Sequence, residues 1–228
     1  MNRRLGMAVR VREVELTEDP VPSDPELGLI FRKLRAQEAL DDAYFDRIYP
    51  EWARKSSQFH WTPVAAAIRA VQFITQDQPE ARILDVGAGA GKFCLVGASI
   101  SKARFEGVEQ RIHLVTLSRA LLSRYQIPRV TFNLGDFIDQ DWSKYDAVYL
   151  YNPFEEHRSP EHRVDSTVHL ERSRFANYVN FTYFQLAKLA IGSRVMTYCG
   201  FGGAMPPSYR KIFSEHFKGP LECWVKEK

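Results

Sequence analysis

From Ala81 onward the chain alternates short continuous apolar runs with amphipathic stretches. Ala81-Arg82-Ile83-Leu84-Asp85-Val86-Gly87 is apolar almost throughout and ends in glycines, the pattern of a strand buried on both faces of a parallel sheet. Residues 91–103 then read as a helix, 104–110 as a second strand and 111–125 as a second helix. The runs 130–137 and 145–154 give a third and a fourth strand, 175–190 a strongly apolar helix, and 193–201 a fifth strand. The tail reads as a hairpin, Tyr209 to His216 and Leu221 to Val225, turning at Lys218-Gly219-Pro220. Strand–helix alternation of this kind predicts a mainly parallel sheet with right-handed crossovers and helices on both faces. Ligands bind such sheets beyond the carboxyl ends of the strands, where strand order reverses.

The first third of the chain is patterned differently. Residues 1–23 hold two prolines and the alternating stretch AVRVREVEL, and read as an arm or an edge strand. From Pro25 to about Gln58, the residues Leu29, Ile30, Leu34, Leu40, Phe45, Ile48 and Trp52 recur at helical spacing, with a break near Asp41-Asp42 and a turn at Pro50. Thr62 is placed to cap a helix that starts at Pro63, carries a stripe of Val64, Ile68, Val71, Phe73 and Ile74, and stops ahead of Pro79. We therefore divide the chain into an arm and helical cap, 1–58, and a main strand–helix domain, 59–228.

Composition narrows the setting. With 228 residues, 45% of them apolar and 26% charged, the chain suits one large domain, or one with a small appendage. No stretch approaches the roughly 20 apolar residues of a membrane helix. The N-terminus lacks the apolar segment of a secretory signal, and Glu13, Glu15, Glu18 and Asp19 argue against a targeting peptide. A cytoplasmic protein without a membrane partner is expected. Cys94, Cys199 and Cys223 lie far apart in apolar runs, without metal-ligand spacing, and read as buried free thiols. A formal charge of +3, with acids and bases interleaved, gives no concentrated basic face for nucleic acid.

The chemistry begins at Asp85-Val86-Gly87-Ala88-Gly89-Ala90-Gly91. A phosphate-binding Walker A loop would need a glycine where Val86 stands and a Ser or Thr where Phe93 stands. The dinucleotide pattern G-x-G-x-x-G would need glycine at Lys92. An acid followed by G-x-G-x-G fits at every position. Absent side chains let backbone approach a ligand, and an anionic Asp85 suits a ligand with a cationic end.

On this motif, and on Glu109 and Asp136 at the ends of the next two strands, the sequence resembles the class I, Rossmann-like, S-adenosylmethionine-dependent methyltransferases, over roughly residues 60–228. The resemblance implies a mainly parallel seven-stranded sheet with a C-terminal antiparallel hairpin and S-adenosylmethionine as cofactor. It implies cofactor contacts from Asp85, Gly87, Ala88, Gly89 and Gly91, and from Glu109 with Gln110 at the ribose. It also implies Asp136 at the adenine amino group, with Phe137 framing the base. Other readings stand beside these: a salt bridge from Glu109 to Arg111, and a turn cap for Asp136.

Asn152-Pro153-Phe154 closes the fourth strand, where the family places its acceptor motif. Amino-group methyltransferases often carry Asp/Asn-Pro-Pro-aromatic there; this chain has one proline, which tells against adenine or glutamine as acceptor. Alternatively the strand simply stops at proline and buries Phe154. Residues 155–173, with Glu155, Glu156, His157, His162 and His169, read as a solvated, mobile loop rather than a metal site, and as part of an acceptor pocket roofed by the helical cap. Phe59-His60-Trp61-Thr62-Pro63 is placed either to close over the cofactor's methionine end or to pack Trp61 on the core. A small molecule or a protein side chain is the expected acceptor, ahead of nucleic acid; GVEQ and GDF are similar to pieces of non-SET lysine methyltransferases. The competing classes are an NAD(P)-dependent oxidoreductase and a non-catalytic nucleotide-binding module.

Overall fold

The computed structural model describes residues 21–159, 161 and 163–228. The expected arm therefore lies almost wholly outside the described residues, as does His162. Seven strands form one sheet: β1 (Arg82–Val86), β2 (Arg104–Glu109), β3 (Val130–Leu134), β4 (Ala147–Tyr151), β5 (Arg194–Tyr198), β6 (Tyr209–His216) and β7 (Pro220–Lys226). Their order is β3-β2-β1-β4-β5-β7-β6. The first five run parallel, and β7 pairs antiparallel with both β5 and β6. Order reverses between β1 and β4, so a crevice opens at their carboxyl ends. The sheet is the predicted Rossmann-like one, hairpin included.

Eight α-helices are described: α1 (Gly28–Arg35), α2 (Asp42–Phe45), α3 (Glu51–His60), α4 (Val64–Thr75), α5 (Lys92–Ile100), α6 (Ile112–Tyr125), α7 (Glu155–Arg158) and α8 (Arg172–Lys188). Because side chains alternate along a strand, Ile83 and Tyr149 pack with α4, α5 and α6 on one face. Leu84, Val86, Val148 and Leu150 pack on the other with Tyr178 and Leu186 of α8. Leu27, Ile30, Phe31, Leu34, Phe45, Ile48 and Tyr49 join the first of these clusters. The N-terminal helices are thus packed into the core beside α5. Among the described residues no helix is long and apolar enough to cross a membrane.

Two local expectations are corrected. Thr62 does not cap α4: its buried hydroxyl bonds the Tyr149 hydroxyl at 2.7 Å, and Asp42 accepts from the Val64 N–H at 2.8 Å instead. A cap supplied from 22 residues away leaves no local sequence signal. Cys94 and Cys223 are buried free thiols, but Cys199 is exposed. It sits just past β5 at φ +58°, in the turn that carries the chain off the sheet.

Candidate active site

The crevice at the strand ends is a cavity of about 540 Å³, within the range of small-ligand sites. Its floor is the glycine turn, where Gly87 and Gly89 hold φ +74° and +55°. Both are left-handed values that residues with a Cβ rarely adopt. The N–H groups of Gly87 and Ala88 donate to the Val108 carbonyl, each at 3.0 Å, and tie the turn to β2. Gly91, at φ +81°, starts α5 against the ring of Phe132, which a Cβ would meet at 2.4 Å.

Glu109, at the end of β2, is buried and lines the cavity. Its Oε2 accepts from the Gly89 N–H at 3.1 Å and its Oε1 from the Arg111 N–H at 2.9 Å. Burial raises its pKa, against the pull of the Arg111 N–H and charge. The alternative salt bridge is present in weak form, with Arg111 Nη1 3.7 Å from Oε1. The guanidinium turns mainly the other way. Its Nη2 meets Glu156 at 2.6 Å and its Nε meets Asp165 at 3.1 Å, while His113 holds the far oxygen of Asp165 at 3.0 Å.

Those contacts tie part of the expected solvated loop to the site, while Glu161, Ser166, Thr167 and His169 stay exposed. Glu156 also accepts from the Val164 N–H at 2.9 Å. His157 is buried, with Nδ1 3.0 Å from the Glu171 carbonyl. A nitrogen facing a carbonyl carries the proton, so Nε2 is the bare one; burial holds the pKa of this ring below 6.5. Glu156, His157, Val164 and Asp165 are thus held at the cavity, and Glu155, Glu156, His157, Val164 and Leu170 form part of its wall. Among the described residues no cluster of His, Cys, Asp and Glu could hold a metal ion.

Of the residues singled out from the sequence, Gly87, Gly89, Glu109, Gln110, Phe137, Asn152, Pro153 and Phe154 border this one cavity. Asn152 sits at φ +38°, with its N–H donated to the Gly200 carbonyl at 3.0 Å. Phe154 is buried and stacks on Phe137, centroids 5.0 Å apart. Four others lie outside the lining. Asp85 shares a strand face with Ile83, so it turns toward α5 and accepts from the Cys94 thiol at 3.3 Å. Burial, with Glu109 adding repulsion, pushes its pKa up to about 7. Ala88 is buried in the core, and Gly91 lies under Phe132. Asp136 accepts from the Ile138 N–H at 3.2 Å and from the Tyr178 hydroxyl, the turn-capping geometry.

Several groups at the site carried little or no sequence signal. Tyr178 and His157 reach the cavity from helices far along the chain. Lys92, which spoils the dinucleotide pattern, is buried beside Asp42 and Asp46, 2.7 Å from each. It fills the third-glycine position with an ion cluster that joins α5 to the N-terminal helices.

A glycine cradle with left-handed backbone, an acid at the end of the second strand and an aromatic ring at the end of the third define a Rossmann-like S-adenosylmethionine-dependent methyltransferase. The protein-L-isoaspartate (D-aspartate) O-methyltransferase family matches residues 37–153, and the chain belongs to that family. Its cofactor is S-adenosyl-L-methionine. Among solved structures it is similar to an RNA methyltransferase from Salinibacter ruber in complex with S-adenosyl-L-homocysteine. That pair shows 18% identity and a TM-score of 0.52, over 73% of this chain and 94% of the other. It is also similar to TrmN from Thermus thermophilus, at 18% identity and a TM-score of 0.56, over 76% of this chain and 52% of that one. At these identities the likeness is one of fold. No curated protein matches the sequence significantly.

Proposed function

We propose that the chain is a catalytically active methyltransferase that moves a methyl group by in-line displacement to a small molecule or a protein side chain. The reading is carried by one observation: the glycine turn, Glu109, Gln110 and Phe137 border the same cavity as Asn152-Pro153-Phe154. When bound, S-adenosylmethionine supplies an electrophilic sulfonium methyl. The protein's task is then to align a nucleophile and exclude water.

In this reading Gly87 and Gly89 offer bare backbone, Glu109 and Gln110 hold the ribose, and Phe137 frames the adenine. Asn152, Pro153 and Phe154 present the acceptor under the 155–170 segment. We assign Asp85, Gly91 and Asp136 to holding these walls in place, through Cys94, Phe132 and Tyr178. Residues 59–228 form the catalytic domain, with the preceding helices as its cap. The mouth carries Glu155, Glu156 and Glu161, while Arg111, the one guanidinium among the described lining residues, is already paired with acids. That charge pattern favours a small-molecule or protein acceptor over a phosphate backbone.

Thermal-shift and calorimetric titration with S-adenosylmethionine, S-adenosylhomocysteine and NADH tests the cofactor assignment. Binding of the first two and not the third is expected; stabilisation by NADH alone would reverse it. A screen of small molecules, peptides and RNA with labelled methyl donor then finds the acceptor. Cofactor binding with no turnover on any class would point to a binding module.

A further inference from the structure

The amino ends of the parallel strands frame a second cavity, of about 520 Å³. It lies at the far end of β1 from the glycine turn, about 13 Å of strand away. Arg82, Arg104, Arg129 and Lys144 line it, and Glu106 is the one acid among its described lining residues. No residue lines both this cavity and the one at the carboxyl ends.

Arg82 and Arg104 are register partners on β1 and β2. Their side chains leave the same face of the sheet, from strands about 4.8 Å apart. Like charges in that relation repel. Asp146 offsets only the first: its Oδ2 accepts from the Arg82 N–H at 2.8 Å and from Nε at 3.3 Å. Arg104 is exposed and enters no ion pair among the described residues. Glu106 is already committed, to Asn133 Nδ2 at 2.6 Å and to Lys144 at 3.6 Å. Arg129 turns its guanidinium to the carbonyls of Ala98 and Ser101, 3.1 and 2.9 Å away, and leaves its charge unneutralised at the rim. The Tyr145 hydroxyl is buried in the same wall beside Glu106 and completes no hydrogen bond there.

The cavity thus gathers donors and positive charge, with little in the protein to accept from them. Guanidinium forks match the oxygens of a phosphate. A phosphate also accepts from several directions at once, whereas a carboxylate accepts in one plane. Cavities of this volume hold ligands larger than a single phosphate ion. We propose that this cavity is a binding site for a small molecule carrying two linked phosphates, held by Arg82, Arg104, Lys144 and Tyr145. The site stands apart from the cofactor assignment, since it shares no lining residue with the active-site cavity.

The test titrates the full chain, isotope-labelled, with pyrophosphate at constant ionic strength, with citrate and a short single-stranded RNA as comparisons. Pyrophosphate should shift the amide resonances of Arg82, Arg104 and Lys144 saturably and leave those of Gly87, Gly89 and Glu109 in place. Arg104→Gln and Lys144→Gln should each weaken pyrophosphate about tenfold or more, as expected for a lost charge-assisted bond. S-adenosylhomocysteine affinity should stay at the wild-type value in both. Shifts that never saturate, that fall at the glycine turn, or that persist at wild-type affinity in both variants would overturn the proposal. Citrate binding as tightly as pyrophosphate would overturn it too, and so would saturable binding of the RNA alone. Both substituted side chains are exposed, and if either variant fails to fold the wild-type titration decides.

Discussion

Arg111 reaches from the turn after β2 to Glu156 on α7, with Nη2 and Oε2 2.6 Å apart. The same guanidinium meets Asp165, and its backbone N–H meets Glu109. One residue thereby joins the acid assigned to the ribose to the segment assigned to the acceptor side. Arg111→Met should leave Glu109, Glu156 and Asp165 without a common countercharge, at a cost of about 3 kcal/mol. The measurable consequence is faster amide hydrogen exchange across 155–170 and a Tm lower by several degrees. Unchanged exchange there would show that packing alone holds the segment.

Glu109 is expected to control cofactor affinity directly. Glu109→Ala should weaken S-adenosylmethionine by well over tenfold, from the loss of charge-assisted hydrogen bonds worth about 1.5–3 kcal/mol. Glu109→Gln, which keeps one acceptor oxygen for Gly89, should fall between. Calorimetry on both variants gives the order, and equal affinities across all three proteins would remove Glu109 from the site.

Asp85 is expected to act on stability more than on affinity. Its carboxyl titrates near 3.8 in the unfolded chain but is pushed up to about 7 in the fold, by burial first. Between those values the folded state binds the extra proton, so stability declines as pH rises through that window. Asp85→Asn keeps an acceptor for Cys94 and carries no charge. The Tm difference between variant and wild type should therefore grow from about pH 4 to about pH 7, then level off. Glu109, also raised, adds a slope of the same sign that both proteins share. A gap independent of pH would refute the assignment.

The glycines separate by what surrounds them. At Gly87 a Cβ would meet only Pro153, at 3.6 Å, so Gly87→Ala faces backbone strain of about 1–2 kcal/mol. At Gly91 the same change adds a clash with Phe132 at 2.4 Å. Gly91→Ala should therefore lower Tm much further than Gly87→Ala, while Gly87→Ala shows the larger loss of cofactor affinity relative to its stability. Paired melting and titration experiments check the crossover.

Much of this was legible in the chain because it is written locally. The Ile83–Val86 run, the glycine turn and the Leu221–Val225 return strand each depend on neighbours within a few residues, and each is where the pattern placed it. Lys92 could be read only as a broken motif, since its partners Asp42 and Asp46 come from helices far back in the chain. The 155–173 segment looked solvated because its polar residues are dense. What ties Glu156 and Asp165 down is Arg111, a residue 45 positions from Glu156.

The sequence by itself determined the strand–helix alternation, the bare turn and the acids that follow it, because backbone geometry and side-chain periodicity act over short range. Tertiary structure decided which groups face the hollow. It turned Asp85 under the sheet, closed Asp136 on Tyr178, and set the Trp61 indole against Gly89. Those choices depend on the face of a strand and the packing of distant helices. Burial and hydrogen-bond demand are settled only when the whole core closes.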